Sequence, residues 1–127
     1  MRELAQRRAI AKVCGWRWIE SPDDSKFLRL LDGKDKNKAS CLKTEKNREK
    51  FWRVTPDYLT DIKAMREVVI DNLAYDESLI EIFTVTLKDL YIKQGGYQGT
   101  DYWFLARTSL WAEAFLRTLG LWQEETT

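Results

Sequence analysis

An arginine stands where an aromatic segment meets a helical pattern in the stretch TDYWFLARTSLWAEAFLRTLGLW. The first backbone N–H groups of a helix lack internal acceptors and carry partial positive charge, so Arg107 with Thr108 and Ser109 suits a phosphate or carboxylate. Tyr102 and Trp103 lie four or five residues upstream, where either ring could stack on a base. These five residues are the candidate ligand-binding site.

A structural alternative exists for the same residues. Arg107 could pair with Asp101, Glu113 or a neighbouring loop while Thr108 caps the helix, and most helices carry a cap. Sequence alone leaves both interpretations open, because it does not show what faces the guanidinium group.

Histidine is absent from the 127 residues. Its absence removes the commonest general base, every Ser-His or Cys-His pair and most transition-metal sites. Carboxylates are abundant, but no pair of them stands in a distinctive motif. Cys14 and Cys41 lack C-x-x-C spacing, which predicts free thiols. We therefore expect a protein that is not an enzyme and uses neither a metal nor a cofactor.

The charges nearly cancel, with 21 Lys and Arg against 20 Asp and Glu. We expect no general attraction for a nucleic acid polymer or a membrane, and a location in the cytoplasm, since no apolar run approaches the ~20 residues that span a bilayer. Segment 33–50 is locally basic, with seven Lys or Arg and three Asp or Glu. An exposed loop is favoured there over a phosphate-tracking patch, because the segment lacks aromatic residues.

Periodicity predicts one α+β domain over residues 1–127, with an antiparallel sheet of about four to five strands sandwiched between helices. Gly15 and Gly120 should end the first and last helices, and Thr60 or Asp57 should cap a middle one. The predicted elements are a helix at 2–13, strands at 16–20, 26–31, 39–43 and 50–54, helices at 60–74 and 76–93, a strand at 101–107 and a helix at 108–120.

The chain holds six tryptophans, most of which a small sheet must bury. Trp111 falls in the first turn of the last helix and Trp122 lies beyond Gly120. Each could fill a subunit interface or pack back onto the domain itself, and both interpretations stay open.

Three segments resemble parts of small phage and prophage proteins grouped as the phage ABA sandwich domain. They read RELAQRRAIAKVCGW, PDYLTDIKAMREVV and LARTSLWAEAFLRTLGLW, in that order. The resemblance covers roughly 47 residues and implies a sheet layered with helices. It brings no catalytic residue with it.

A looser likeness, of scale and architecture only, is to phage anti-defence proteins such as the anti-Thoeris sponges. It implies a homo-oligomer in the cytoplasm of a bacterial host that sequesters cyclic ADP-ribose or a cyclic oligonucleotide without cleaving it. One alternative is a phage protein that inhibits a host defence nuclease through a protein interface, for which the basic segment 33–50 would matter. Another is an accessory or structural phage protein.

Overall fold

A computed structural model describes residues 1–96 and 102–124, apart from the side chains at 49–51, 103 and 104. The fold is α+β, with a small antiparallel sheet inserted after the first helix. Its elements in chain order are α1 (Glu3–Val13), β1 (Arg17–Glu20), β2 (Phe27–Leu31), β3 (Asn37–Leu42), α2 (Glu45–Phe51), a 3₁₀ turn (Trp52–Val54), α3 (Ile62–Leu73), α4 (Glu77–Lys93), α5 (Tyr102–Leu105) and α6 (Thr108–Thr118).

Helix α6 lies at the centre of the core and packs on α1, α3 and above all α4. Phe115 and Leu116 are fully buried on it, and so are the small residues Ala112 and Ala114, which allow neighbouring backbones to approach closely. Burying a side chain the size of Leu or Phe contributes about 1.5–3 kcal/mol. The terminal helix is therefore fixed on several sides, and so is the position of its first turn.

The sheet has three strands in the order β1-β2-β3, all antiparallel, in the described part of the chain. Leu28 and Leu30 of β2 lie on the buried face of the sheet. Phe27 and Leu42 form a cross-strand pair on the other face, where they are 40% and 52% exposed. The helices thus cover one face, and the expectation of four to five strands sandwiched between helices is not confirmed.

The strand predicted at 50–54 is wrong, because this segment completes α2 and then forms the 3₁₀ turn. The Thr55 hydroxyl donates to the Trp52 carbonyl oxygen over 2.6 Å and closes the turn. The turn buries the Trp52 ring, which is 4% exposed, against the core. Burial of one large ring outweighs the strand preference of its neighbours.

The strand predicted at 101–107 is also wrong over its described part, where residues 102–105 form α5. The Ala106 N–H donates to the Tyr102 carbonyl oxygen over 2.9 Å, a helical bond. Tyr102 and Ala106 are both buried, and their spacing of four places them on one helix face. Residue 101 lies outside the described residues.

The predicted helix ends are confirmed. Gly15 and Gly120 follow α1 and α6 with φ of +91° and +71°, values that favour glycine. Gly120 N–H donates to the Arg117 carbonyl and Leu121 N–H to the Leu116 carbonyl, which is the Schellman pattern. The α3 cap, however, is Asp61, whose carboxylate accepts from Ala64 N–H; it is neither Thr60 nor Asp57.

Trp111 is a core residue, 5% exposed, with its ring centroid 5.5 Å from that of Phe83. Trp122 packs partly buried against the same core, with the Arg117 guanidinium 5.0 Å from its ring centroid. Both tryptophans therefore pack on the domain itself. None of the helices in the described part of the chain is long and apolar enough to cross a membrane.

The turn between β2 and β3 touches the end of α1 at Gly33. A Cβ built on Gly33 would lie 2.2 Å from the Cys14 carbonyl oxygen, which is backbone and cannot move aside. This contact joins the sheet to α1, so it also fixes the space between them.

We predict that Gly33→Ala lowers the free energy of unfolding by more than about 2 kcal/mol, because the overlap forces a backbone shift. Gly120→Ala is the matched control: nothing lies within 4 Å of its Cβ, and only the positive φ costs energy, about 1–2 kcal/mol. Urea denaturation of both variants measures the difference. Equal losses, or a smaller loss for Gly33→Ala, would contradict the contact.

Candidate functional site

Helix α6 begins with an uncapped N-terminus. Arg107 is its N-cap residue, with φ −63° and ψ 152°, and no side chain accepts a hydrogen bond there. Thr108 is the first helical residue, so its predicted role as the cap is wrong by one position. The N–H groups of Thr108 and Ser109 donate to no acceptor among the described residues. Two donors and one cation therefore meet at this helix start.

The starts of α1, α3 and α4 carry negative charge. Asp61 caps α3 and Asp76 caps α4, each through a carboxylate oxygen that accepts a first-turn N–H. Helix α1 has Glu3 in its first turn, whereas α6 has no acidic residue there. A carboxylate at a helix start competes with an incoming anion, because it occupies the same partial positive charge.

Arg107 is exposed and lines an open groove of about 540 Å³ between the end of α4 and the start of α6. Of the side chains described, none forms an ion pair with it, and no carboxylate lines the groove. Glu113 therefore does not pair with Arg107, since its ion pair is with Arg117, and Asp101 lies outside the described residues. The groove is lined by Tyr91, Gln94, Gly95, Gly96, Leu105, Arg107 and Leu110.

The opposite wall of this groove is the glycine-ended terminus of α4. Gly95 has φ +90°, its N–H donates to the Ile92 carbonyl, and the Gly96 N–H donates to the Tyr91 carbonyl. These bonds satisfy carbonyl oxygens that would otherwise repel an anion. A Cβ on Gly96 would lie 2.5 Å from the Tyr91 ring, so only glycine fits against that ring.

Ser109 opens onto a different cleft on the other side of α6, with a volume of about 530 Å³. Glu3, Asp57 and Glu113 line it alongside two arginines, so its charge does not favour an anion. One of the arginines, Arg7, already donates to the Thr55 carbonyl oxygen over 2.7 Å. The predicted pair of Arg107 and Ser109 side chains is therefore divided between two clefts, which share Gln94 and Leu110.

The predicted aromatic platform is not assembled as expected. Tyr102 is 8% exposed and lines neither cleft, so its ring does not offer a free face. The Trp103 side chain lies outside the described residues, and its role stays a prediction. Among the described residues the aromatic one in the groove is Tyr91, which lies in the helix predicted at 76–93 and was not a candidate site residue.

The groove offers a positive charge to an anion. It brings together the Arg107 guanidinium group, the Gln94 amide and the Tyr91 ring, whereas Thr108 and Ser109, whose N–H groups begin α6, are not among its lining residues. No thiol lines it, and the described residues hold no cluster of three metal-ligating side chains. A phosphate bearing an aromatic group matches these donors in charge and in kind.

Both thiols lie away from this groove and are unpaired, as predicted. Burial raises the pKa of the Cys14 thiol, against the opposing effect of Asn72, whose amide donates toward the sulfur. Burial also raises the pKa of the Cys41 thiol. A thiol with a raised pKa is a weak nucleophile at neutral pH.

Comparison with known proteins found no match for this chain. No protein-family model matches it, and no curated protein and no solved structure matches it either. The site must therefore be judged on its own geometry.

We predict that the folded state loses stability above about pH 9. Burial raises the pKa of Tyr58 well above 10.0 and that of Cys14 above 9.0, so folding favours the neutral groups and unfolding releases protons. The stabilisation is complete below these unfolded values and is lost as the pH rises from each unfolded pKa to the folded one, at no more than about 1.4 kcal/mol per pH unit per group.

Urea denaturation at a series of pH values measures this loss. Tyr58→Phe should flatten the decline above pH 10, whereas Tyr75→Phe, at a residue 92% exposed, should leave the profile unchanged. A profile for Tyr58→Phe that matches the unmodified protein would show that the hydroxyl is not buried in the folded state.

Proposed function

We propose that this protein binds and sequesters a small phosphorylated nucleotide without turning it over. The ligand class we favour is a nucleotide-derived host immune signal, such as cyclic ADP-ribose or a cyclic oligonucleotide. The site is the groove between α4 and α6, with phosphate on Arg107 and the amide groups of Thr108 and Ser109.

The observation that carries the proposal is Arg107 at an uncapped helix start, where none of the described residues supplies an ion-pair partner or a carboxylate to its groove. A hydrogen bond between a charged donor and a phosphate contributes about 1.5–3 kcal/mol, and the helix terminus adds about 0.3–1 kcal/mol. Together these contributions favour a guanidinium group that binds phosphate over one that is only hydrated. The neighbouring cleft, with its three carboxylates, lacks this advantage.

Tyr91 supports a nucleotide over a bare phosphate. Its ring is partly buried and lies at the edge of the same groove as Arg107. Gly96 packs close against this ring and restricts its movement. A base that stacks on a restricted ring loses less conformational entropy than one on a mobile side chain.

The biological role follows the resemblance to small phage proteins. A phage protein in the cytoplasm of an infected bacterium gains by removing a host signal, and binding alone removes it. The lack of histidine in the sequence, and of a thiol or any described carboxylate in the groove, supports sequestration over hydrolysis.

A homo-oligomer is part of the same proposal, and the outer face of α4 supports it. Ile82 and Val85 are 49% and 55% exposed there, on the face opposite the buried Phe83 and Leu87. The first turns of α4 carry Glu77 and Glu81, and its last turns carry Lys88 and Lys93 along with Asp89, so two antiparallel copies would set the glutamates of one opposite the lysines of the other. Such a face is typical of a subunit contact.

We predict that calorimetric titration with isomers of cyclic ADP-ribose and with cyclic di- and trinucleotides detects binding of at least one of them. Arg107→Ala should weaken that binding by about ten-fold or more, equivalent to about 1.4 kcal/mol. Arg2→Ala is the matched control, because Arg2 is the exposed N-cap of α1 with the same backbone geometry and Glu3 beside it.

Absence of heat with every ligand would oppose the proposal, as would equal weakening by the two variants. A pull-down from host lysate separates the main alternative. A stoichiometric protein partner that survives Arg107→Ala would favour inhibition of a host protein through the basic segment 33–50.

We predict that Val85→Glu lowers the oligomeric state, since it places a charge in the apolar contact. Val54→Glu is the control, because Val54 is a valine of similar exposure, 44%, in the 3₁₀ turn on a different surface. Native mass spectrometry reports the assembly of each variant. A monomeric unmodified protein would exclude the oligomer while leaving the binding proposal intact.

A further inference from the structure

A second groove, of about 500 Å³, lies between α1, α2 and the edge strand β1, away from Arg107. Three tryptophans and four cationic side chains are among the residues that line it. It is open to solvent, and its volume falls within the ~300–1,000 Å³ of small-ligand clefts. The lining residues are Arg8, Lys12, Trp16, Arg17, Trp18, Glu45, Arg48 and Trp52.

The walls concentrate positive charge in a chain whose net charge is only +1. Arg8 and Lys12 lie one turn apart on α1, and Arg48 faces them from α2. Among the described lining residues Glu45 is the one carboxylate, and it lies 3.9 Å from Arg48, a long ion pair; the Glu49 side chain lies outside the described residues. Arg17, at the rim, is paired with Asp35. The charge excess therefore comes from both helices facing the groove.

Tryptophan rings form the floor. Trp52 is buried, the Trp18 ring stands edge-on to it at a centroid distance of 6.3 Å, and the Lys12 ammonium lies 5.9 Å from its centroid. Trp16 and Trp18 are only partly buried and line the groove. Trp16 and Trp18 thus line the groove together with cations from both helices.

We infer that this groove binds single-stranded nucleic acid, with bases stacked on Trp16 and Trp18 and phosphates along Lys12, Arg8 and Arg48. Aromatic faces beside cations are the general means by which proteins hold a single strand without reading its sequence. The inference is independent of the groove at Arg107.

The geometry favours a single strand over a duplex. Bases in a duplex are already stacked and paired, so their faces cannot reach partly buried rings at the floor of a groove. It also favours a strand over a free mononucleotide, because the cations lie on both walls and a strand supplies phosphates to each. Retention of a strand rests on several such contacts together.

This inference departs from the expectation that no nucleic acid polymer is a partner. That expectation came from the near-zero net charge and from the lack of aromatic residues in segment 33–50. The fold supplies the missing rings from β1 and the 3₁₀ turn, and further cations from α1, so the site is assembled from distant parts of the chain.

The test is fluorescence anisotropy with labelled oligonucleotides of about 12 nucleotides, oligo(dT) and oligo(U), at about 50 mM salt. We expect both to bind, and the affinity to fall with salt at a logarithmic slope of about −2, because roughly three phosphate contacts release counterions. A duplex of equal length and uridine monophosphate should bind at least about ten-fold more weakly.

Two matched pairs of variants test the residues. Lys12→Ala with Arg48→Ala should weaken binding by about ten-fold or more, whereas Lys63→Ala with Lys88→Ala, exposed on α3 and α4, removes the same charge and should change it less than about two-fold.

For the ring, Trp16→Phe and Trp16→Leu both lose the N–H donor, but only Trp16→Leu loses the stacking face. We expect about ten-fold weaker binding for Trp16→Leu alone, with folding checked by circular dichroism.

The inference is overturned if neither oligonucleotide binds, if the duplex or the mononucleotide binds as tightly, or if the two alanine pairs weaken binding equally. Equal loss for Trp16→Phe and Trp16→Leu would rule out stacking on that ring. Arg107→Ala should leave oligonucleotide binding unchanged, so failure here is distinguishable from failure of the sequestration proposal.

Discussion

The packing of α6 into the centre of the core is the constraint from which the candidate site follows. Its small and large buried residues, Ala112, Ala114, Phe115 and Leu116, are all fully inaccessible to solvent. Helix α4 is the main neighbour of α6, and the last residues of α4 line the same groove as the first residues of α6. Apolar burial further along α6 thus holds the groups of the proposed anion site in place without a side-chain cap.

Much of the fold could be predicted from periodicity. The helices at 60–74 and 76–93 follow from apolar spacing, and the glycine ends of α1 and α6 follow from positive φ; both are local properties. The strands assigned at 50–54 and 101–107 were wrong because local β composition was outweighed by the burial of Trp52 and Tyr102 on helical turns. Such burial depends on partners far away in the chain.

The candidate site could be predicted only in part, for the same reason. Arg107 and the helix start are adjacent in sequence, and the structure places them together as expected. The glycines after α4 and the Tyr91 ring reach the same groove only through the packing of α4 on α6. The prediction that Tyr102 stacks on a base assumes a strand at 101–107, whereas the helical turn α5 buries its ring.

The account centres on an anion held by the first turn of α6, and amide chemical shifts test this most directly. In a ¹H–¹⁵N spectrum titrated with inorganic pyrophosphate, the amides of Thr108 and Ser109 should shift together and saturably. The amides of the first turn of α1, beside Glu3, should not move. Shifts of similar size at both helix starts, or none at Thr108 and Ser109, would contradict the account.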